Sequence, residues 1–456
     1  MNKPLFDDFN EVSAKQWKQK IQFDLKGADY NEALIYKSLE GIDIKPFYHQ
    51  EDLINNNLSV PTPTAWKNSI KIEVNDTIDG QQKAIEAIAK GAENIHFTIT
   101  NTQTDPEKLL NNIPSKITVY IENKFISNSF TQKVNEIALK NNLDIFIFTD
   151  IIGNLAQTGN WYVNLKSDHQ ELEKVVSNNN LKGIISVDLG LYQNAGATMV
   201  QQLAYGLAHA NEYLNHFNNT SISFFKKTPI IFKVALGGNY FFEIAKLRAL
   251  RVLWSTLAEA YDVHPKCHIL AYPSLRNKTF LDYNVNMLRT TTECMSAILG
   301  GADTIQNLPY DTIYHLENGF ASRIALNQLL ILKNESYFDL VANPASGSYY
   351  IESLTSQISE KVLELFKNIE KGGGFLQQLK SGVIQKKIKE SALKEQALFD
   401  DEKIVLTGVN AFENSKEVIP NFEKPIFPQK KVRKTLIQPI TTSRLPYKIE
   451  SKTVNK

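Results

Sequence analysis

Residues 182–198 read KGIISVDLGLYQNAGAT and join a short apolar run to a loop. The run at 184–187 predicts a buried strand, and residues 188–196 predict the loop that leaves it. A helix-like segment at 195–217 follows. Strand, loop and helix in this order form the repeating unit of a parallel α/β fold.

This unit recurs along most of the chain. The predicted strands lie at 69–74, 94–100, 117–121, 144–148, 183–187, 230–235, 268–271 and 303–306. The predicted helices lie at about 77–90, 105–112, 129–141, 167–178, 195–217, 239–260, 281–299 and 317–334. The strands read as apolar on both faces, as is typical of parallel strands covered by helices. Eight consecutive units favour a closed (β/α)8 TIM barrel, although a doubly wound open sheet would show the same alternation.

The flanks of the chain differ from this pattern. Residues 1–62 predict an extended arm, with a short helix at about 13–23, that cannot bury itself alone and must wrap around the barrel or another chain. The barrel with its trailing helices is expected over 63–400, with a break in the last helical region at Gly372 to Gly374. Residues 401–456 are rich in proline and lysine and predict a linker, a surface strap or a disordered tail.

The composition restricts the class of protein. The 456 residues are 43% hydrophobic and 22% charged, and the net charge of +1 gives no indication of binding to nucleic acid or to an anionic membrane. The two cysteines, Cys267 and Cys294, fit a reducing cytosol and offer no metal cluster. No signal peptide or run of 18 apolar residues is visible, so we expect a cytoplasmic protein.

Candidate chemistry in a barrel lies at the carboxyl ends of its strands. The residues predicted there are Asn75, Thr100, Asn101, Glu122, Asn123, Thr149, Asp150, Asp188, Gly237, Gly238, Asn239, Tyr272, Ser274, Arg276, Gln306 and Asn307. Asp150 and Asp188 are either a carboxylate pair or caps of the following loops. Residues 237–239 are either an anion site at a helix N-terminus or a tight turn with an asparagine cap.

Other polar residues have a structural interpretation. His96 and His268 fall inside predicted strands, where a hydrogen-bonded core histidine is expected, and the spacing of the eight histidines does not suggest a metal site. Glu243 and Lys246 are three residues apart on a predicted helix, a spacing that gives a side-face ion pair of a few tenths of a kcal/mol. The residues alone therefore indicate a large barrel without an evident active site.

Several motifs together resemble one family, the adenosylcobalamin-dependent acyl-CoA mutases, and within it the methylmalonyl-CoA mutases. These motifs are DLKGADY (24–30), LEGIDIKPFY (39–48), NAGAT (194–198), QLAYGLA (202–208), FFEIAKLRALRVLW (241–254), DYNVNMLRTTTECMSAILGGAD (282–303) and PASGSYYIESLT (344–355). The resemblance implies a barrel that threads a coenzyme A ester along its axis, and a separate cobalamin-binding domain in the catalytic chain.

The sequence departs from the catalytic pattern of that family. It has no Asp-x-His-x-x-Gly motif and too few residues after the barrel for a cobalamin-binding domain. By the resemblance, Leu191 occupies the position of a substrate-contacting histidine, and Asp303 and Gln306 occupy the positions of a glutamine and a histidine. Residues 55–75 lack the family's tyrosine-containing segment, and 150–161 (DIIGNLAQTGNW) resembles a small-subunit signature. We therefore expect no catalytic residue, bound cofactor or metal in this chain.

The resemblance implies a small (beta) subunit of a heterodimeric mutase. The complex would be an isomerase of propionate metabolism that interconverts (R)-methylmalonyl-CoA and succinyl-CoA by radical rearrangement. Its large (alpha) subunit would hold adenosylcobalamin and the CoA ester, and residues 1–62 of this chain would contact it. Two alternatives stay open: a catalytic chain served by a separate cobalamin-domain polypeptide, and a degenerate CoA-binding barrel with Tyr272 and Arg276 as substrate-binding residues. Arg276 is equally a candidate surface or subunit-contact residue.

Overall fold

The computed structural model describes residues 9–53, 60, 62–63, 65–177, 180–218, 222–414, 416, 418–427 and 433–454. In the arm, strands β1 (Tyr36–Lys37) and β2 (Asp43–Ile44) form an antiparallel pair. The barrel strands are β3 (Lys67–Val74), β4 (Asn94–Ile99), β5 (Thr118–Asn123), β6 (Asp144–Thr149), β7 (Gly183–Asp188), β8 (Ile231–Leu236), β9 (His268–Pro273) and β10 (Thr304–Gln306). They pair in parallel in chain order, and β10 pairs with β3. The prediction of a closed (β/α)8 barrel is confirmed.

Helices alternate with these strands and extend beyond them. They are α1 (Ala14–Asp24), α2 (Tyr30–Leu34), α3 (Thr77–Ala89), α4 (Pro106–Leu109), α5 (Asn128–Asn141), α6 (Ile151–Thr158), α7 (Leu165–Val176), α8 (Gly190–Asn194), α9 (Met199–Phe217), α10 (Ile222–Lys227), α11 (Tyr240–Ala260), α12 (Val285–Leu299), α13 (Gly319–Asn334), α14 (Tyr349–Lys371), α15 (Phe375–Lys380), α16 (Val383–Asp400) and α17 (Tyr447–Val454). A 3-10 turn covers Gln50–Asp52. The longer predicted helices are confirmed, whereas the alternation did not predict short helices such as α6 and α8.

Local sequence accounts for several helix starts. Thr198 and Gln201 form a reciprocal capping box at α9, and Asp105 precedes Pro106 at the start of α4. Asp150 caps α6 by accepting a hydrogen bond from the Gly153 amide at 2.6 Å. The capping interpretation of Asp150 is therefore confirmed.

The outward faces of the strands are apolar, whereas the faces that point into the barrel mix polar and apolar side chains, so the prediction of two apolar faces is only partly correct. Ile95, Phe97 and Ile99 of β4 pack in the main core between strands and helices, and burial of each such side chain contributes about 1.5–3 kcal/mol. In contrast, His96 points into the barrel, where it contacts side chains of other strands. The interior holds polar groups because they can pair across the barrel.

The C-terminal tail crosses the carboxyl-end face of the barrel. The Ile437 amide donates to the Gly159 carbonyl at 3.2 Å, and the Ser443 amide donates to the Asn194 carbonyl at 2.9 Å. Gly159 follows α6 and Asn194 ends α8, so the tail spans loops after different strands. Residues 433–454 therefore form a strap, which we call the tail strap.

The end of the tail strap is anchored in the protein. Glu450 of α17 is fully buried and accepts hydrogen bonds from the Thr279 hydroxyl at 2.8 Å and from Arg444 Nη1 at 2.6 Å. In the structure, this part of the tail has the form of the surface strap, which is one of the three interpretations that the sequence left open. The sequence did not predict this anchoring, because isolated apolar residues such as Leu445 do not form the periodic pattern that indicates a helix or a strand. Residues 428–432 and 455–456 lie outside the described residues.

The arm divides into two parts. Glu40 accepts hydrogen bonds from the Met199 and Val200 amides at 2.8 and 2.9 Å, so the second part binds the N-terminus of α9 in the same chain. Helix α1, however, has no buried residue, and Trp17 and Phe23 are 49% and 79% exposed. Residues 1–8 and 54–59 of the predicted arm lie outside the described residues. Across the part of the chain that the structure describes, no helix combines the length and the apolar character needed to span a membrane.

Candidate functional site

The middle of the barrel is crossed by one tyrosine. Tyr120 lies on β5, and its hydroxyl is 2.9 Å from His268 Nε2 on β9 and 2.7 Å from Thr304 Oγ1 on β10. Because β5 and β9 are four strands apart in an eight-stranded barrel, the Tyr120 side chain reaches from one wall to the opposite one. Burial raises the pKa of Tyr120, so its hydroxyl stays neutral.

Aromatic rings fill the space around Tyr120. The ring centres of Phe146 and Phe148, both on β6, each lie 5.4 Å from that of Tyr120. Phe146 also stacks on His268 at 4.6 Å, and Phe148 meets His96 at 5.1 Å. At these distances the rings are in van der Waals contact. The barrel axis is therefore occupied by side chains at this level, which we call the aromatic layer.

A charged network lies on the carboxyl-end side of the aromatic layer. Lys233 Nζ is 2.9 Å from Glu122 Oε2 and 3.0 Å from Asp188 Oδ2. The Tyr272 hydroxyl donates to Asp188 Oδ1 at 2.8 Å. These four residues come from β5, β7, β8 and β9, so the network ties one side of the barrel to the other. Asp188 thus does more than cap its loop, where it also accepts from the Gly190 amide at 2.9 Å.

The charges of this network are mutually dependent. Burial alone would raise the pKa of Glu122, but Lys233, with His96 and Lys124, lowers it well below its usual range. Burial likewise opposes the charge of Lys233, but Asp188 and Glu122 raise the pKa of this lysine above its ordinary value. Both partners are consequently ionised at neutral pH.

His96 links the network to Gln306. Burial lowers the pKa of His96 against the opposing effect of Glu122, which favours a neutral ring. His96 Nε2 is 3.2 Å from Glu122 Oε2, and His96 Nδ1 is 2.6 Å from the Gln306 amide. Because the facing Gln306 atom is the amide oxygen, which accepts, Nδ1–H of the neutral ring donates to Gln306 Oε1, and Nε2 faces the Glu122 carboxylate without a hydrogen bond. Gln306 is therefore a structural partner of His96.

The loop after β7 is packed closely over this network. A Cβ atom on Gly190 would overlap the Tyr272 hydroxyl, so only glycine fits there. Asn194 at the end of α8 accepts from the Ser274 hydroxyl at 2.9 Å. Leu191 is half-buried and packs against the main core. The sequence thus located the loop correctly at the barrel mouth.

The other predicted site residues do not form one cluster. Asp303 precedes β10 at the amino end of the barrel, where Arg251 Nη2 donates to it at 2.8 Å, whereas Gln306 lies at the carboxyl end. Arg276 is buried and donates from Nε to Glu395 at 2.6 Å and from Nη1 to the Ser443 carbonyl at 2.8 Å. It therefore joins the barrel to α16 and the tail strap. Its predicted role in substrate binding stays a prediction.

A second buried ion pair lies on α11 and contacts the loop after β7. Glu243 and Lys246 of α11 are both fully buried with 2.5 Å between them, so the interpretation as a side-face pair was wrong. Lys246 Nζ also donates to Gln193 Oε1 of α8 at 3.2 Å, and Glu243 accepts from the Gly237 amide at 2.8 Å. Asn239 precedes α11 without capping it through its side chain.

The sequence did not indicate that Glu122, Lys233 and His96 belong to one charged network inside the barrel. A lysine inside the otherwise apolar run IIFKVAL (230–236) was the available signal, because an unpaired lysine in a buried strand is costly. Within the described residues, no group of three or more histidine, cysteine, aspartate or glutamate side chains is arranged to hold a metal ion.

Comparison with known proteins decides the family. The sequence profile of the methylmalonyl-CoA mutase family matches residues 104–449, which is most of the chain. The chain belongs to the methylmalonyl-CoA mutase family. This agrees with the observed closed barrel.

The match to one small subunit extends over nearly the whole chain. The methylmalonyl-CoA mutase small subunit of Porphyromonas gingivalis is 30% identical over 450 residues, which covers 91% of this chain and 72% of that protein. The methylmalonyl-CoA mutase of Rhizobium meliloti is 35% identical, but the match covers 49% of this chain and 32% of that protein. The large subunit of Porphyromonas gingivalis is 33% identical over 49% of this chain and 32% of that protein.

The mutase family is cobalamin-dependent. A corrinoid that serves this barrel would have to act on a substrate held inside it. Such a group would have to reach the carboxyl ends of the strands, where barrel enzymes carry out their chemistry. The tail strap lies across the loops at that end, and the aromatic layer fills the axis below it. The residues of this mutase chain do not fit that arrangement.

Proposed function

We propose that this chain is the small, structural subunit of a heterodimeric methylmalonyl-CoA mutase, with adenosylcobalamin and the CoA ester bound by the large subunit. The proposal is supported by the similarity to a small subunit over 91% of the chain, whereas the similarity to the Rhizobium meliloti mutase covers 49%. The complex would be an isomerase that interconverts methylmalonyl-CoA and succinyl-CoA, and this chain would stabilise the catalytic partner.

The barrel interior is the observation that carries the non-catalytic role. A CoA ester threaded along the axis would have to pass the aromatic layer, in which Tyr120 is hydrogen-bonded to the opposite wall. Leu191 in the loop after β7 can neither donate a hydrogen bond to a thioester carbonyl nor transfer a proton. Both features weigh against the two alternatives, a catalytic chain with a separate cobalamin polypeptide and a CoA-binding barrel.

A reconstitution experiment tests this proposal. The chain is purified alone and together with the large subunit of its own source organism, and turnover of methylmalonyl-CoA is measured with added adenosylcobalamin. We expect no turnover and no bound corrinoid for the chain alone, and a stable 1:1 active complex with the large subunit. Turnover by the chain alone, or failure to associate, would contradict the proposal.

Helix α1 is the part of the arm that we propose to contact the large subunit. Replacing both Trp17 and Phe23 by alanine should weaken the heterodimer by about 30-fold or more, because large exposed aromatic side chains are typical anchors of interfaces. The dissociation constant can be measured by surface plasmon resonance.

The control is Leu139→Ala, which removes another exposed apolar side chain from α5 and should leave the dissociation constant unchanged. The stability of the isolated chain should fall by no more than about 1 kcal/mol in the double variant, because among the described residues α1 has no fully buried residue and Trp17 contacts only the edge of Phe47 within its own chain. An unaltered dissociation constant in the double variant would show that α1 lies outside the interface.

Restoring one side chain should not restore catalysis. We expect Leu191→His to give no measurable turnover in the isolated chain with added adenosylcobalamin, because the aromatic layer and the tail strap remain in place. A sensitive coupled assay for succinyl-CoA checks this, with the intact heterodimer as the positive control. Detectable turnover would show that the side chain at position 191 is the only feature that keeps this barrel inactive.

A further inference from the structure

A cavity of about 590 Å³ lies beside the barrel mouth. Its walls are the carboxyl ends of β3 and β10, the start of α13, residues 424–426 and part of the tail strap at 442–447. The cavity is thus formed between the barrel and the tail, which is a feature that the predicted barrel alone did not suggest. Its volume suits a small molecule.

Two lysine side chains line this cavity, and among the described residues neither of them forms a hydrogen bond with a carboxylate. Lys71 Nζ has its nearest ion-pair partner, Glu73, at 4.0 Å, and its side chain is 39% accessible. Among the described residues, Lys424 forms no ion pair or hydrogen bond that would neutralise it. Burial by the surrounding protein lowers the pKa of both lysines, while Glu122 and Glu73 oppose this effect at Lys71, and Glu73 and Asp311 oppose it at Lys424.

Ser69 adds a hydrogen-bond donor to the same wall. It is 2% exposed, and its hydroxyl has no partner among the described residues. A buried hydroxyl without a partner is costly, and such groups are usually satisfied by a ligand or by water. Ser69 and Lys71 lie two residues apart on β3 and therefore project from the same face of the strand.

The remaining cations of the wall are already paired. Arg276 binds Glu395, and Arg444 binds Glu450. They therefore shape the cavity and hold the tail strap, while Lys71 and Lys424 keep their capacity to bind an anion.

The acidic groups of the cavity wall are either paired with neighbouring side chains or exposed to water. Asp311 accepts from the Asn318 amide at 2.7 Å and contacts His315, and Glu317 pairs with Lys83. Glu73 is 69% exposed, so water screens its charge. The acidic groups are therefore compatible with an anion held between the two lysines.

We propose that this cavity is a binding site for a small oxyanion, a carboxylate or a phosphate, held by Lys71, Lys424 and the Ser69 hydroxyl. Nitrogen and hydroxyl donors that converge on one space are the arrangement that recognises such groups. The occupied site would fasten residues 424–426 and the tail strap to the end of β3. A small-molecule ligand would in this way stabilise the carboxyl-end face of the subunit.

The test is a binding titration of the isolated full-length chain by isothermal titration calorimetry in low-salt buffer. Inorganic phosphate and malonate serve as separate probes, so that phosphate and carboxylate sources are distinguished. We expect saturable binding of at least one probe, and a loss of affinity of about tenfold or more in Lys71→Met and in Lys424→Met. The matched control is Lys182→Met, which removes a lysine that pairs with Asp144 at the amino end of the barrel and should bind normally.

Acetylation provides a second readout on the unaltered protein. A probe that binds in the titration should protect Lys71 and Lys424 from acetic anhydride, as mapped by mass spectrometry, while Lys182 should react at the same rate with and without the probe. The proposal is overturned by absence of saturable binding for both probes, by an equal loss in Lys182→Met, or by absence of protection. Since the isolated chain is used, these outcomes are independent of whether the chain is a mutase subunit.

Discussion

Replacing Lys233 by methionine is expected to lower the free energy of unfolding by about 3–5 kcal/mol. Lys233 is 9% exposed and is the cation shared by Glu122 and Asp188 inside the barrel. Its removal leaves the largely buried Glu122 and the 34% exposed Asp188 close together without their shared cation, and uncompensated buried charge is among the most destabilising changes in a protein. Urea denaturation followed by circular dichroism measures the effect.

Lys124→Met is the matched control for this change. Lys124 also binds Glu122, at 2.6 Å, but its side chain is 47% exposed. Loss of such a surface partner should cost less than about 1 kcal/mol. Equal effects of the two variants would contradict the idea that the interior position of Lys233 makes its pairing important.

The effect of Lys233→Met should also depend on pH. In the wild type, the pKa of Glu122 is lowered in the folded state, so its contribution is present above the unfolded pKa of about 4.3 and is lost as the pH falls through the folded value. In the variant the largest charge that opposes burial is gone, so we expect the pKa of Glu122 to rise despite Lys124 and His96, and the contribution of Glu122 to stability is then greatest at low pH and falls as the pH rises. The deficit of the variant should therefore be larger at pH 7 than at pH 5. A deficit that is independent of pH would argue for loss of packing alone.

Replacing Lys246 by methionine is expected to have an effect of similar size, about 3–5 kcal/mol. Lys246 and Glu243 are both fully buried, and Lys246 also donates to Gln202 at 3.1 Å and to the Ala235 carbonyl at 2.8 Å. Methionine preserves most of the side-chain volume but leaves the carboxylate of Glu243 without its cation. The free energy of unfolding in urea is again the measurement.

The chain contains a control pair with the same spacing. Lys387 and Glu390 are also three residues apart on a helix, but their side chains are 56% and 44% exposed. Lys387→Met should change the stability by less than about 0.5 kcal/mol. If Lys246→Met were as mild as Lys387→Met, the buried pair would contribute no more than a surface pair, and burial would not be what makes Lys246 important.

The sequence by itself determined the barrel and its family. Eight apolar runs alternating with amphipathic segments indicated the (β/α)8 fold, and motifs such as FFEIAKLRALRVLW (241–254) pointed to the acyl-CoA mutases. These features are local or follow from chain order, so they can be read without a structure. The same is true of Leu191, whose place in the loop after β7 follows from the strand that precedes it.

The tertiary structure decided what fills the barrel and what covers it. Tyr120 crosses the axis because closure brings β9 and β10 opposite β5, and this juxtaposition is not a property of any single strand. Leu445 and the buried Glu450 anchor the tail strap through partners that lie far away in the sequence. The spacing of Glu243 and Lys246 is the same as that of a surface pair, and only the packing of other elements around α11 buries it. Burial and pairing depend on long-range packing, whereas sequence spacing reports local geometry.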